Sequence, residues 1–393
     1  MMADSTLKVP FFKASIGPEE ENAVLNVLRS GWLTTGKEAL SFEKEFAEKI
    51  NSKYALCVNS NTSGMILAME ACGVKKGKAV ITTPYTFVST AACARHLGAD
   101  VYFADIEKDS YSIDPDKIEK ILASPEGKNV AAIVPVHIAG NLCNMKKIME
   151  IAKKYQVKVI EDAAHAFPCK TTDGYAGVLG DAGVFSFYVT KTITTGEGGM
   201  VTTNNPELAK RMTVMRMHGM DRTTWDRYTS DKASWEYDII ESGFKFNLPD
   251  INAALGRVQL KKADLFDEQR KAHVKKYFNE LGKLDFVKLP PDGEGNSWHL
   301  FLMRLDLTKL NVSRNQFAKE LQSMGIGISM HFIPLFHFTY WKKLYPDFIP
   351  ENFPQAEEKY QETISIPLWP DMTDEMIDYT VSCIKSLGEK YHV

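Results

Sequence analysis

Lys191 is the residue whose type and setting indicate chemistry most directly. It follows a predicted strand at residues 183–187 and precedes a glycine-rich turn at residues 196–199, and no acidic residue follows it before Glu197. A lysine amine is a weak nucleophile while protonated, but its pKa falls in a partly dry site and it can then form a Schiff base. We therefore take Lys191 as a candidate nucleophile. The alternative is a solvated lysine on a surface loop.

A carboxylate and an imidazole lie close together in a second segment, residues 159–165. Asp162 comes at the end of an apolar strand, where an unpaired carboxylate is costly. The nitrogen of a pyridoxal ring is a suitable partner, because an ionised aspartate keeps that ring protonated as an electron sink. His165 is placed to face the same ligand. The alternatives are an aspartate that caps a helix and a buried, hydrogen-bonded histidine.

Small polar residues before a predicted helix provide a candidate phosphate site. Residues 58–64 read VNSNTSG and precede an apolar helix at residues 65–71, so backbone N–H groups and the positive end of the helix dipole point to one place. An ordinary capping turn is the alternative. Phe87, just after another predicted strand, can stack on a planar cofactor or belong to the core. The glycines at residues 196–199 do not form GxGxxG, which argues against a dinucleotide site.

The elements that position these residues alternate between strand and helix. Short β-branched runs predict buried strands at residues 79–82, 100–105, 130–136, 157–161 and 183–187, with helices at 113–123 and 145–155 between them. This alternation predicts an α/β fold with a mainly parallel sheet covered on both faces. In such a sheet the ligand binds beyond the carboxyl ends of the strands.

The pattern changes near Pro249, where Asp250 is placed to cap a long helix that runs to about residue 281. A strand at residues 299–305, a helix at 314–324 and a closing helix from Asp374 follow. We predict two domains. Residues 1–255 form a large α/β domain with an N-terminal arm, and residues 256–393 form a smaller α+β domain.

Composition and charge exclude several classes of protein. The 393 residues include 47 Lys and Arg against 50 Asp and Glu, a net charge of −3, which argues against nucleic acid or a membrane surface as partner. The longest apolar stretch, residues 130–138, is about half a membrane span and contains Pro135. Residues 1–13 have no signal-peptide pattern, and the six cysteines have no metal-ligand spacing. We expect a cytoplasmic protein with reduced thiols and no metal site.

Taken together, these segments resemble the DegT/DnrJ/EryC1/StrS family of PLP-dependent nucleotide-sugar aminotransferases, which have the fold-type I aspartate aminotransferase architecture. The resemblance runs nearly end to end. Besides the segments above, it includes residues 30–36 (SGWLTTG), 86–90 (TFVST), 135–140 (PVHIAG), 186–191 (SFYVTK), 196–199 (GEGG), 218–219 (HG), 243–250 (GFKFNLPD) and 297–301 (SWHLF), with His331.

The resemblance implies a role for each matching residue. Lys191 matches the lysine that bonds to pyridoxal 5'-phosphate and moves the proton, and Asp162 matches the acid at the pyridine nitrogen. The remaining cofactor contacts implied are His165 at the phenolic oxygen, Phe87 stacked on the ring, Asn61, Thr62 and Ser186 at the phosphate, and Lys245 and Asn247 at the phosphate of the partner subunit. An obligate homodimer with shared sites is thus implied. The family has Gly where this chain has Asn61, and some relatives differ at Lys245 and Asn247.

The resemblance also implies the reaction. L-glutamate leaves its amino group on the cofactor and a nucleotide-linked keto-sugar collects it, giving an amino sugar for lipopolysaccharide or another polysaccharide or glycan. Residues 243–254 and 366–371 are most similar to enzymes acting on UDP-linked 4-keto sugars; TDP- or GDP-linked sugars and 3-keto sugars are alternatives. By position, Trp32, Thr34, His299 and His331 are candidate sugar contacts; the alternatives are a core aromatic residue, a solvated loop residue and structural histidines. A non-catalytic nucleotide-sugar binder, a sugar dehydratase (in which His replaces the lysine) and an aminotransferase acting on a small amino acid are the competing hypotheses.

Overall fold

The computed structural model describes residues 7–221 and 236–393. The strands in these residues are β1 (Tyr54–Val58), β2 (Ala79–Thr82), β3 (Asp100–Phe103), β4 (Val130–Ile133), β5 (Lys158–Asp162), β6 (Lys170–Thr171), β7 (Gly174–Tyr175), β8 (Ala182–Ser186), β9 (Gly199–Thr203), β10 (Val287–Lys288), β11 (Phe301–Leu305) and β12 (Thr363–Ile366).

A seven-stranded sheet in the order β1-β9-β8-β5-β4-β2-β3 forms the centre of the larger half. Strand β9 runs antiparallel to its neighbours β1 and β8, and the other pairs are parallel. Most residues of these strands are buried, as expected for a sheet covered on both faces. The predicted α/β class with a mainly parallel sheet is confirmed. The C-terminal half has a smaller antiparallel sheet, β10-β11-β12.

The α-helices of the described residues cover both faces of the large sheet and surround the small one. They are α1 (Pro18–Ser30), α2 (Lys37–Ile50), α3 (Asn61–Ala71), α4 (Ser89–His96), α5 (Pro115–Ala123), α6 (Met145–Tyr155), α7 (Pro206–Arg216), α8 (Asp250–Leu281), α9 (Arg314–Ser323), α10 (Thr339–Leu344), α11 (Pro354–Glu362) and α12 (Asp374–Tyr391). None of the helices in this part of the chain combines the length and apolar character needed to cross a membrane.

Several predicted elements are confirmed to the residue, and others differ at their ends. Strand β2 and helix α6 have the predicted bounds. The strand predicted at residues 130–136 ends at Ile133. Pro135 has no N–H to donate to a neighbouring strand, so the regular ladder stops before it.

Asp250 does not cap α8, and that prediction was wrong. The N-cap of α8 is Pro249, and the Asp250 carboxylate instead accepts backbone N–H groups of Gly36 at 2.7 Å, Glu38 at 3.2 Å and Ala39 at 3.0 Å. These groups are the unpaired donors at the N-terminus of α2, whose own N-cap, Gly36, supplies no side-chain acceptor. The carboxylate also lies at the positive end of that helix dipole. Asp250 therefore ties α8 to α2.

Asp250→Ala is expected to lower the free energy of unfolding by about 1–2 kcal/mol, because α2 loses its only capping side chain among the described residues. Urea denaturation measures this loss. The matched control is Asp264→Ala, on the same helix, which breaks an exposed ion pair with Lys49 and should cost less than about 1 kcal/mol. Equal losses in the two variants would contradict the long-range cap.

Helix α8 belongs to both halves of the chain. Its first half places Ala253, Leu260 and Ala263 in a buried cluster with Phe42 and Phe46 of α2. Its second half places Val274, Tyr277 and Leu281 in the C-terminal core with residues of β11 and β12. The predicted boundary at residue 255 falls inside this helix, so the helix connects the two cores.

Segments from the two ends of the chain also pack in the opposite half. Val9, in the predicted N-terminal arm of the large domain, is buried in the C-terminal core and pairs with Ile326. In return, Leu335, Phe336 and Trp341 of the C-terminal half pack in the core under the large sheet. Each half of the chain is thus packed against a segment of the other half.

Candidate active site

A cavity of about 340 Å³ lies at the carboxyl ends of β5 and β8, where an open α/β sheet binds its ligand. The predicted site residues that line it are Asn61, Thr62, Phe87, Asp162, His165, Ser186, Lys191, His299 and His331. They come from both halves of the chain. The tertiary structure therefore brings most of the predicted residues to one place.

Lys191 lies half-buried in a turn after β8, and its backbone N–H donates to the carbonyl of Tyr188 at 2.9 Å. Burial lowers the pKa of the Lys191 amine to about 7, against the opposing attraction of the Asp162 carboxylate. An ordinary lysine has a pKa of about 10.4. Near neutral pH a large fraction of this amine is therefore unprotonated, which a nucleophile or a proton carrier requires.

Asp162 is the last residue of β5 and is 3% exposed. Its backbone N–H donates to the carbonyl of Pro135 at 2.9 Å, which fixes the strand end beside β4. Burial raises the pKa of the Asp162 carboxyl, and a hydrogen bond from Thr90 is the strongest of the interactions that oppose this rise. The positive charge of Lys191 also lowers the pKa of the Asp162 carboxyl.

The N-terminus of α3 points at the cavity. Ser60 is the N-cap and accepts the backbone N–H of Ser63 at 3.1 Å. The Asn61 side chain turns inward, donating to Asp162 Oδ1 at 3.3 Å and to the carbonyl of Val184 at 3.1 Å. The first backbone N–H groups of a helix have no intrahelical partner. Those of Asn61 and Thr62 are therefore the groups at this helix end that can bind an anion.

Gly64 explains why α3 reaches so close to the sheet. A Cβ at this position would lie 2.6 Å from Val184 Cγ1 and 2.8 Å from Val201 Cγ2, so any other residue would push the helix outward. The absence of a side chain lets α3 lie directly on β8 and β9. Its N-terminus is then level with the end of β8, where Ser186 also lies.

Three histidines form one wall of the cavity. The rings of His165 and His299 are 4.4 Å apart, and those of His165 and His331 are 6.5 Å apart. Burial lowers the pKa of all three, that of His331 to about 3, with the charge of Lys191 acting in the same direction. The wall is therefore neutral at physiological pH.

The tautomer of His165 follows from its backbone contact. Its Nδ1 accepts the N–H of Ala139 at 3.3 Å, so the ring proton of this neutral histidine is on Nε2. His299 differs, because its Nδ1 is buried and has no hydrogen-bond partner among residues 7–221 and 236–393. Buried polar atoms are normally hydrogen-bonded, so this nitrogen is an exception among the groups around the cavity.

Aromatic side chains cover the mouth of the cavity. Phe87 is 59% exposed, so it is not a core residue, and its ring centre lies 6.2 Å from that of Phe332. Phe332 stacks on His165 at 5.5 Å. Sequence reasoning missed Phe332 and also Tyr188, which lines the cavity three residues before Lys191. Proximity to Lys191 was a signal for Tyr188, whereas no local pattern distinguishes Phe332.

The four other predicted site residues lie outside this cavity, in what we call the outer patch, residues 32–36 and 245–250. The Lys245 amine contacts Asn247, and Asn247 donates to Thr35 Oγ1 at 2.7 Å. Trp32 borders a separate depression between α1 and α8, and Thr34 is exposed beside it. These four residues are therefore neighbours of each other and do not contact the cavity of their own chain.

Comparison with known proteins gives consistent results. The profile of the DegT/DnrJ/EryC1/StrS aminotransferase family matches residues 14–385. The chain is 39% identical over 383 residues to the spore coat polysaccharide biosynthesis protein SpsC of Bacillus subtilis, covering 96% of this chain and 97% of SpsC.

Solved structures agree with the sequence match. The PLP form of Spr1654 from Streptococcus pneumoniae superposes with a TM-score of 0.89 at 27% identity, over 98% of this chain and 99% of that one. Its PMP form gives the same TM-score. Helicobacter pylori PseC, an aminotransferase involved in the biosynthesis of pseudoaminic acid, gives 0.87 at 28% identity, over 98% and 100% of the two chains.

Proposed function

The chain belongs to the DegT/DnrJ/EryC1/StrS aminotransferase family and is a PLP-dependent enzyme, and on this basis we propose that it transfers the amino group of L-glutamate to a nucleotide-linked keto-sugar. The observation that carries the proposal is the placement of Lys191, Asp162 and the N-terminus of α3 around one cavity. A reactive amine, a buried carboxylate and an anion site are the three groups that PLP requires.

The residues present fit this cofactor. Asp162 is a buried carboxylate at the strand end, suited to a protonated ring nitrogen, and Phe87 is an exposed aromatic ring available for stacking. The backbone N–H groups of Asn61 and Thr62 at the positive end of α3, with the hydroxyl of Ser186, suit the phosphate. PLP supplies an electron sink for the carbon that gains or loses the amino group.

The chain's own side chains supply the proton transfers. The Lys191 amine, with its pKa lowered to about 7 by burial, can take up and release a proton at physiological pH. The Asp162 carboxylate would hold the proton on the ring nitrogen of bound PLP. The Nε2–H of His165 can donate to the phenolic oxygen, because its Nδ1 is already occupied by Ala139. We propose that His299 and His331, which line the cavity, contact hydroxyl groups of the sugar.

The outer patch supports a homodimer with shared sites. Lys245 and Asn247, with Trp32 and Thr34, are grouped together but lie away from the cavity of their own chain. Apolar side chains that are more than two-fifths exposed lie around the same region of α1 and α2: Leu25, Leu28, Leu33 and Leu40. Such a surface suits a second copy of the chain. We propose that the four outer-patch residues act at the partner's cavity.

The acceptor is proposed as a UDP-linked 4-keto hexose or pentose, with TDP- or GDP-linked sugars and 3-keto sugars as alternatives. The likeness to SpsC and PseC favours a product used in a surface polysaccharide or glycan. A cytoplasmic location is proposed with it. All six cysteines are unpaired, as expected in a reducing compartment.

The proposal predicts a two-stage spectral change in the purified enzyme. The yellow band of the lysine-bound cofactor should disappear on addition of L-glutamate, giving the PMP form, while D-glutamate should leave it unchanged. After removal of free amino acid, the correct keto-sugar from a panel of UDP, TDP and GDP derivatives should restore the band.

Other outcomes would contradict this function. A protein that shows no yellow absorption band after incubation with PLP would be a non-catalytic binder. If only a small 2-oxo acid, and no keto-sugar, converts the PMP form back to the yellow PLP form, the protein would be an aminotransferase acting on a small amino acid.

A further inference from the structure

Two buried threonines connect to the carboxylate under the cavity. Thr90 Oγ1 lies 2.7 Å from Asp162 Oδ2, and Thr86 Oγ1 lies 2.9 Å from Thr90 Oγ1. Thr90 is fully buried and Thr86 is 2% exposed. Thr90 is on α4 and Asp162 ends β5, so this contact joins a helix to the strand end across 72 residues of sequence. The assigned reaction does not use either hydroxyl.

The direction of these bonds follows from the chemistry of the groups. An ionised carboxylate only accepts hydrogen bonds, so Thr90 must donate to Asp162. A hydroxyl has one proton, so Thr90 has none left for Thr86, and Thr86 must donate to Thr90. The result is a one-way chain of donors that ends on Asp162 Oδ2.

The other carboxylate oxygen is occupied differently. Oδ1 accepts the side-chain amide of Asn61 and the backbone N–H of Ala164, both at 3.3 Å. Each carboxylate oxygen has about two lone-pair sites, so Oδ1 is filled. Oδ2 has one donor, Thr90, in the described part of the chain, and keeps one free lone pair. Oδ2 is therefore the atom that can receive a further proton donor from the cavity.

We propose that Thr90, supported by Thr86, is a positioning residue that directs Asp162 Oδ2 at the ring nitrogen of the cofactor and keeps the shared proton on that nitrogen. This rests on the proposed role of Asp162. Thr90 itself touches neither cofactor nor substrate; it acts through the carboxylate. Without the donated bond, the carboxylate is more basic and draws the proton from the ring.

The test is the holoenzyme of Thr90→Val, which keeps the shape of the side chain but removes the hydroxyl. With PLP labelled with ¹⁵N at the ring nitrogen, the NMR shift should move toward that of the unprotonated ring, because the more basic carboxylate takes a larger share of the proton. The rate of the half-reaction with L-glutamate should fall about tenfold or more, as expected for loss of a hydrogen bond to a charged group. Thr90→Ser, which keeps the hydroxyl, should have the wild-type ¹⁵N shift and half-reaction rate.

The matched control is Thr82→Val, which also removes a fully buried threonine hydroxyl, bonded there to the carbonyl of Val134 at 2.8 Å. It should leave the ¹⁵N shift unchanged. If Thr90→Val does not fold, Thr86→Val removes only the supporting donor, and a smaller shift in the same direction is expected. Unchanged ¹⁵N shifts in both variants, with wild-type rates, would overturn the proposal. If Asp162→Asn leaves the ¹⁵N shift at its wild-type value, the proposed site itself would be overturned.

Discussion

Lys191→Ala should abolish turnover, lowering the rate by at least about 10³-fold, while the protein remains folded. In the proposed function the lysine would supply both the covalent bond to PLP and the proton transfer at the reacting carbon, so its loss would remove both. The yellow band should also be absent. Borohydride treatment of the wild type should fix PLP to the peptide that contains Lys191, and mass spectrometry identifies that peptide.

The matched control is Lys385→Ala on α12, an exposed lysine whose nearest carboxylate, that of Glu389, is 4.0 Å away. It should have wild-type colour and rate. Normal turnover in Lys191→Ala would refute the assignment of this residue as nucleophile.

The pH dependence of cofactor capture gives an independent check on the environment of Lys191. Burial lowers the pKa of its amine to about 7, so above that pH the amine is neutral and reactive. Below it, the rate at which the cofactor-free enzyme forms the yellow band should fall about tenfold for each pH unit. An ordinary lysine with a pKa of about 10.4 would show this fall throughout the range from pH 6 to pH 9. A plateau above pH 7 therefore distinguishes the two environments.

Asp162→Asn should lower the rate of the half-reaction with L-glutamate by about 10²-fold or more, while PLP still bonds to Lys191. The amide has nearly the same shape but no charge, so the ring nitrogen loses its proton and the electron sink is weakened. The ¹⁵N shift of the labelled ring nitrogen should be that of an unprotonated ring. The visible band should remain, because Lys191 is unchanged.

Stability measurements separate this catalytic role from a structural one. In the cofactor-free protein, burial raises the pKa of the Asp162 carboxyl, which means that the buried charge is unfavourable there. Asp162→Asn should therefore leave the melting temperature of the cofactor-free protein unchanged or higher, and PLP should raise it less than in the wild type. Asp116→Asn, at an exposed carboxylate paired with Lys147, is the control and should change none of these values. A cofactor-free variant that unfolds readily would contradict a primarily catalytic role.

The local pattern of the chain determined its elements and the positions of its main chemical groups. Buried strands such as β2 and helices such as α6 follow from runs of β-branched residues and from 3.6-residue periodicity, because both signals depend on neighbours in sequence. Asp162 and Lys191 each follow a predicted strand, and the structure places both at one cavity, since the carboxyl ends of parallel strands lie at one edge of a sheet.

Contacts between distant residues were decided only by the tertiary structure. Asp250 has the sequence context of a cap for α8. Its carboxylate instead accepts the backbone N–H of Gly36 at the start of α2, 214 residues away in sequence. Asn61 is predicted among the phosphate contacts, and its backbone N–H is free for that role in the described part of the chain, but only the fold shows that its side chain donates to Asp162, 101 residues away. A short polar side chain can satisfy any nearby donor or acceptor, and which one is near depends on how helices and strands pack.

The same reason explains the separation of the outer patch from the cavity and the chain of donors from Thr86 to Asp162. Sequence spacing identifies residue types that can bind a cofactor, but it carries no information on which lone pair remains free after folding. Composition, periodicity and motifs therefore determined the fold class and the chemical groups of the site. Packing between elements far apart in sequence decided the orientation of each group, because hydrogen bonds require distances and angles that only the folded chain fixes.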